Sequence, residues 1–417
     1  MLMSRRRGLS LTGLALLAVA GGCSTDSSVS PTSLAAPGSA SLNQSEGRGV
    51  FQRYFAIGTS VSMGWRSDGV VAASQATSWP AQLAAMGHRV LEQPYIAEFG
   101  CPAPIAAPLG LFRRTSGEPL LAPPGSLACS PRVAGVTLPV ANVAISGALT
   151  SDALTKTPEN SGEPASGGLY HRVLEPFHTQ VSTMLEANPK LVSVELGGAD
   201  ILGALSGVVI PGGSIVPLAV WQAAYDRVLD AVGSVTKMAV LVGLSDARDI
   251  PAMRTGNELW LDRLEFAAAN IAVSADCNAS PNWVFLPFKL PPVLLAARAA
   301  ALQGQGPVPL SCAASANPAA QDFILSPTEM GILNGQIVAM TAHIASEATH
   351  RGYAFFTLGA LSSPKAPFSL NTLLTSPTPF GTNFSLDGLH PSAAGSTVLA
   401  KAAAHALNVT YDLGIPE

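Results

Sequence analysis

Five short runs of almost uninterrupted apolar residues, at 53–57, 140–145, 191–196, 238–244 and 353–358, constrain this chain more than any other feature. A strand with one wet face alternates apolar and polar residues. A run that is apolar throughout reads as a parallel strand covered on both faces. Between the runs lie stretches with helical spacing, at 79–86, 171–187, 220–232 and 328–350, and a last helix is expected over 392–407. The 328–350 stretch carries a start signal: Ser326 can cap, Pro327 suits the first turn and Glu329 completes a capping box. Alternation of this kind implies a doubly wound α/β fold, a flavodoxin-like three-layer α/β/α domain around a central parallel sheet. Two stretches exceed a minimal version of it. Residues 98–135 and 276–325 are rich in Pro, Ala and Gly and read as long loop insertions on the same domain.

Composition excludes several classes. Hydrophobic residues make up 48% of the 417 and charged residues 12%, which is about half the usual ~25%. Disorder needs the opposite balance. The formal charge is −4, so there is no basic excess to neutralise a nucleic-acid backbone. Mean hydropathy is positive, and the first residues account for part of it. Arg5, Arg6 and Arg7 precede an apolar run at 9–20, too short to span ~30 Å of hydrocarbon, and Ala20-Gly21-Gly22-Cys23 follows. This pattern reads as a signal peptide over 1–22 with a lipoprotein-type cleavage site before Cys23. The plainer reading is a signal peptide with an incidental cysteine. Residues 23–48 are rich in Ser, Pro, Ala and Gly and read as a lipidated N-terminus with a flexible tether. The domain proper is expected over 49–417, exported, monomeric, and held at the cell envelope by its lipid.

Cys101, Cys129, Cys277 and Cys312 remain after Cys23. Four cysteines allow three pairings. The nearest-neighbour pairing would close the two Pro- and Ala-rich stretches, where a cross-link helps most. Free buried thiols are the competing reading. No CxxC spacing points to zinc, and the helix histidines His171, His178, His343, His350 and His405 stand without paired ligands, so no metal is expected.

In an open parallel sheet, ligands bind beyond the C-terminal strand ends. After the first run stands Gly58-Thr59-Ser60, where Ser60 sits near a helix start whose N–H groups favour developing negative charge. Alone, such a serine is more often a simple cap. Near the other end, Ser385-Leu386-Asp387-Gly388-Leu389-His390-Pro391 brings an Asp and a His three residues apart. There the carboxylate can orient the imidazole, and the imidazole can take the serine proton.

Together these residues resemble the SGNH/GDSL hydrolase superfamily, and particularly its exported bacterial lipoprotein members. Phe55-Ala56-Ile57-Gly58-Thr59-Ser60-Val61-Ser62-Met63-Gly64 is similar to the first family block, Asn142-Val143-Ala144-Ile145-Ser146-Gly147-Ala148 to the second, Glu195-Leu196-Gly197-Gly198-Ala199-Asp200 to the third, and Asp387 with His390 to the last. The blocks stand in family order across residues 51–395. The resemblance implies a serine-dependent carboxylic ester hydrolase, esterase- or lipase-like, without cofactor. In that reading Ser60 is the nucleophile, His390 the base and Asp387 its orienting acid. The Ser60 and Gly147 N–H groups would hold the oxyanion, and Thr59, Trp65 and Ala199 would touch the substrate. Substrates of this kind are small-molecule, glycan or lipid esters.

Two departures matter. Thr59 replaces the usual Asp or Asn before the serine, and is expected to make a local hydrogen bond. Ala199 replaces the asparagine whose amide normally helps hold the oxyanion; losing one such donor costs roughly 10²–10³ in rate. The rival reading is a binding lipoprotein of the envelope that kept the fold and lost turnover. A cofactor enzyme is a poor fit, since neither a GxGxxG turn nor a P-loop lysine motif is present. Asp200 is expected to be structural, and Ser245-Asp246-Ala247-Arg248-Asp249 to hold a surface ion pair.

Overall fold

A computed structural model describes residues 46–121, 127, 129–164 and 168–417. The expected signal peptide, Cys23 and most of the tether lie outside the described residues.

The centre is a four-stranded parallel sheet of β1 (Tyr54–Gly58), β2 (Leu191–Glu195), β3 (Ala239–Gly243) and β4 (Ala354–Thr357), paired in that order. All five residues of each of β1, β2 and β3 are buried, as continuous apolar runs require of strands covered twice. Side chains alternate between the faces. Tyr54, Leu191, Val240, Val242 and Phe356 join one apolar cluster, while Phe55, Ile57, Val192, Val194 and Leu241 join the other. On the first face pack α1 (Trp79–Met86) and, towards the chain end, the helix Ala393–Tyr411. On the second pack α2 (Gln180–Ala187), α3 (Leu218–Val235) and the helix Pro327–Arg351. The fold is therefore a three-layer α/β/α sandwich, as expected.

Sequence and structure differ in instructive places. The run at 140–145 is not a full strand. It makes a single parallel bridge, Ala56 with Asn142. It is still bound along the free edge of β1: Ala56 N–H donates to Ala141 O (2.8 Å), Val143 N–H to Ala56 O (3.0 Å) and Ile145 N–H to Gly58 O (3.1 Å). The stretch 171–187 is two helices, Leu169–Val173 and α2, because Pro176 lies between them and cannot donate to a helical ladder. Thr179 restarts the helix, accepting from Ser182 N–H at 3.0 Å.

The second long stretch holds more structure than its prolines imply. It contains α4 (Leu286–Leu302), whose Leu286, Leu290, Leu294 and Ala297 form one buried stripe despite Pro291 and Pro292 inside it. Short strands surround it. Met253–Thr255, Trp283–Phe285 and Ile324–Leu325 form a small antiparallel sheet, and Ile271–Val273 pairs with Val308–Leu310. Runs of three residues are too brief to show periodicity. The same apolar cluster continues from β1–β3 through these elements. Pro327–Arg351 is α5 and Ala393–Tyr411 is α6 in chain order. The capping box of α5 forms: Glu329 N–H donates to Ser326 Oγ (3.3 Å) and Ser326 N–H to Glu329 Oε2 (2.8 Å). No helix of the described residues is long and apolar enough to cross a membrane.

Of the three possible cysteine pairings, the structure has Cys101–Cys129 and Cys277–Cys312. The second closes a loop of sequence separation 35, within the range where cross-linking stabilises by about 3–4 kcal/mol. Replacing both Cys277 and Cys312 by serine is expected to cost that much, read as a lower denaturant midpoint with a somewhat steeper slope, because the released chain unfolds to a more exposed state.

Candidate active site

The site begins where β1 ends. The parallel register pairs Gly58 with Glu195, the last residue of β2. A side chain at Gly58 would meet Ser62 Cβ at 2.8 Å and Glu195 O at 3.0 Å. Glycine is thus required here by close approach. Its partner Glu195 is 2% exposed and makes no ion pair among the described residues. It is satisfied by the turn above: Thr59 N–H donates to Oε2 (3.0 Å), Ser62 N–H to Oε2 (3.1 Å) and Thr59 Oγ1–H to Oε1 (2.8 Å). Burial pushes the Glu195 carboxyl above its usual range, against the pull of these bonds. The expected local bond of Thr59 is therefore a distant one, 136 residues along the chain. Trp79 Nε1 donates to Ser62 Oγ (3.1 Å), and Asn142 Nδ2 to Ser62 O (2.9 Å). Sheet, α1 and the edge segment thus converge on one short helix, Ser60–Met63, with Ser60 first in it.

Ser60 Oγ lies 2.9 Å from His390 Nε2, and His390 Nδ1 lies 2.9 Å from Asp387 Oδ2. The two ends of the chain thus meet, 330 residues apart. His390 is 8% and Asp387 7% exposed. Asp387 Oδ1 accepts the N–H groups of Leu389 (3.0 Å) and His390 (2.9 Å) and the Ser385 hydroxyl (3.0 Å). Burial alone would raise the Asp387 carboxyl; the His390 charge and these hydrogen bonds outweigh it and hold it down to about 2.

A strap joins the Asp387 loop to the Ser60 side. Ser67 and Asp68 both have left-handed backbone, at φ 51° and 55°. Ser67 N–H donates to Ser385 Oγ (2.9 Å), and Asp68 N–H donates to Asp387 Oδ2 (2.9 Å), the oxygen that meets His390. Asp68 in turn pairs with Arg114, whose side chain is 1% exposed and also donates to Ala103 O (2.7 Å). Arg114 lies on the loop closed by Cys101–Cys129.

The remaining expected residues line one cavity of about 1120 Å³ in front of Ser60: Thr59, Trp65, Gly147, Ala199 and His390 are all on its wall. The Trp65 ring stands 6.4 Å from the His390 ring. Gly147 has φ 77°. Its N–H, like that of Ser60 in the first turn of its helix, has no protein acceptor among the described residues. Ala199 brings no side-chain donor. Asp200 is turned away from the histidine: it accepts from Thr150 N–H (3.0 Å) and Oγ1–H (2.7 Å), and burial pushes its carboxyl up to about 6. Arg248 pairs with Asp246 at the surface, as expected. Three of the helix histidines stand beside carboxylates: His178 lies 3.1 Å from Glu186 and His405 3.1 Å from Glu417. His343 does have acidic neighbours: its Nε2 is 2.7 Å from Asp226 Oδ1, and Glu347 stands close by, bound to Arg351. Helix packing of α3 on α5 brings them together, which no sequence spacing announces.

Sequence reasoning missed Glu195, Asn142, Ser385 and the Asp68–Arg114 pair. Glu195 had one available signal, a carboxylate closing an otherwise apolar strand. No protein-family model and no curated protein matches the sequence. Among solved structures, an extracellular lipase from Streptomyces rimosus matches 86% of this chain and 98% of its own, at 14% identity and a TM-score of 0.34. A likeness that low says nothing about chemistry.

Two outcomes follow from the geometry. Glu195→Ala strands two buried N–H donors, each costing about 1–3 kcal/mol, so a loss of at least ~2 kcal/mol is expected in denaturant unfolding. Glu195→Gln should lose much less, because its amide oxygen can take both N–H groups and its NH₂ can donate to Thr59 Oγ1. The second concerns Asp387. A carboxyl held below its unfolded value, here about 2 against 3.8, adds stability that is complete above about pH 4 and is lost as pH falls toward 2. Asp387→Asn should therefore be less stable than the wild type by about 2 kcal/mol near pH 6, with the gap narrowing below about pH 4.

Proposed function

We propose that this chain is a serine hydrolase of carboxylic esters, of the SGNH/GDSL kind, working through an acyl-enzyme. The observation that carries the reading is the unbroken hydrogen-bonded line from Ser60 through His390 to Asp387, opening on a cavity. Ser60 Oγ attacks the ester carbonyl while His390 Nε2 takes its proton. Asp387 fixes the imidazole by its other nitrogen and stabilises the imidazolium as it forms. The backbone N–H groups of Ser60 and Gly147 receive the oxyanion. His390 returns the proton to the departing alcohol, then activates a water that releases the acid and restores Ser60. Side chains and backbone of this chain supply the nucleophile, base, acid and oxyanion donors, and solvent supplies the water.

The proposal includes export. Two disulfides fit an oxidising compartment, and the residues before Cys23 have the form of a lipoprotein signal. A lipid on Cys23 would hold the domain at an envelope membrane. Ala199 is the observation that favours the rival, a binding lipoprotein without turnover.

The test is hydrolysis of p-nitrophenyl esters by the full chain beside Ser60→Ala, with labelling by a fluorophosphonate. The wild type is expected to turn over and to label, and the variant to do neither. Ala199→Asn should then raise kcat, toward the ~10²-fold that one oxyanion donor contributes. A wild type that neither labels nor hydrolyses would favour the binding lipoprotein.

A further inference from the structure

We infer that the cavity before Ser60 is an acyl-chain site for a long-chain ester whose alcohol part is uncharged. The inference takes the bond that is broken from the hydrolase reading; the binding half stands on the cavity itself.

Size comes first. The cavity is about 1120 Å³, at the upper end of the ~300–1,000 Å³ that drug-sized ligands fill. An acetyl group would leave nearly all of it empty. Its walls are oily where the second long stretch contributes. Phe285, Phe288 and Phe323 line it together, Phe288 tilted on Phe285 with ring centroids 5.3 Å apart and stacked on Phe323 at 5.4 Å, and Leu294 of α4 continues the surface. This is a continuous apolar wall in the same cavity as Ser60 and His390, suited to a chain that has no polar atoms to satisfy.

Charge sets the other half. Six carboxylates line the cavity against one lysine, Lys156, and that lysine is held by Asp152 at 2.9 Å. The carboxylates have their own partners: Glu195 the nucleophile turn, Asp387 the histidine, Asp200 Thr150, Asp68 Arg114, and Asp249 the Ser362 hydroxyl. A phosphate or carboxylate on the substrate would meet no unpaired cation among the lining residues to replace the water it gives up. A neutral head, such as a glycerol or a simple alcohol, meets no such penalty.

The experiment has three arms, all with the full chain. The first is a p-nitrophenyl ester series from acetyl to dodecanoyl. Each methylene that enters an apolar site contributes about fourfold in kcat/KM, so the decanoyl ester should exceed the acetyl ester by at least ~100-fold. The second compares monododecanoylglycerol with an anionic lysophospholipid of the same chain; the neutral ester should be hydrolysed at least ~10-fold faster. The third is calorimetric binding of 1-O-dodecylglycerol, an ether that cannot be cleaved, to the wild type and to Phe288→Ala. The variant should bind it more weakly, and its ratio of decanoyl to acetyl kcat/KM should fall. A profile that peaks at acetyl or butanoyl, with Ser60→Ala inactive, overturns the acyl-chain site and leaves the hydrolase standing. A faster anionic ester overturns the neutral head. If no ester is hydrolysed, the hydrolase reading fails, and the ether decides the cavity: binding weakened by Phe288→Ala supports it, and no binding overturns it.

Discussion

A carboxylate buried without a cation sits at the structural centre of this site. Burying an unpaired charge is expensive, and proteins tolerate it when hydrogen bonds replace the lost water. Glu195 collects three donors, two of them backbone N–H groups of the turn that holds Ser60. The exchange is mutual. The N–H groups at the start of a short helix have no acceptor of their own, and the carboxylate has no cation. Neither side of the arrangement is stable alone. It also depends on register: Glu195 stands beside Gly58 because β1 and β2 pair in parallel, and a slip of one residue would send the carboxylate to the other face. The position of Ser60 is thus set by the sheet, through one side chain.

Much of this was legible in the sequence, for a physical reason that also marks where legibility stopped. The four sheet strands lie within a residue or so of their apolar runs, because burial on both faces imposes composition at every position. The start of α5 was legible because Ser326 and Glu329 interact within one turn. Asp387 and His390 were legible for the same reason, being three residues apart. Interactions between distant segments left no such mark. Glu195 meets Thr59 across 136 residues, and Asp68 meets Arg114 across 46. The edge segment at 140–145 has apolar composition, but only a single bridge to β1. Composition misled in α4, where prolines read as breakers although the buried leucines at 286, 290 and 294 kept helical spacing.

The first disulfide-closed loop now has a place in the site. Its Arg114 is buried among Ala103 and Asp68, and Asp68 gives its N–H to the Asp387 oxygen that faces His390. An ordinary surface ion pair contributes little, because water competes for both partners. Arg114 is almost wholly removed from water, so its bonds hold the Ser67–Asp68 turn in a backbone conformation that non-glycine residues rarely adopt. The Asp387 loop is thereby tied to the residues just beyond the Ser60 helix, at Ser67 as well as at Asp68.

That rigidity bears on the hydrolase proposed above, in which Ala199 supplies no side-chain donor. Electrostatic stabilisation of an oxyanion depends on how many donors there are, how well they are fixed beforehand, and how little water screens them. In the proposed hydrolase Ala199 leaves one donor fewer than the SGNH/GDSL pattern it resembles, yet the Ser60 N–H is held by a turn bound to Glu195, and the Gly147 N–H by a segment bound along β1. A long apolar chain filling the cavity would exclude water from both, and so strengthen the two donors that remain. Short esters would leave the same donors wet. In this arrangement chain length acts on the chemical step as well as on binding, because the part of the substrate that does not react sets the dielectric for the part that does.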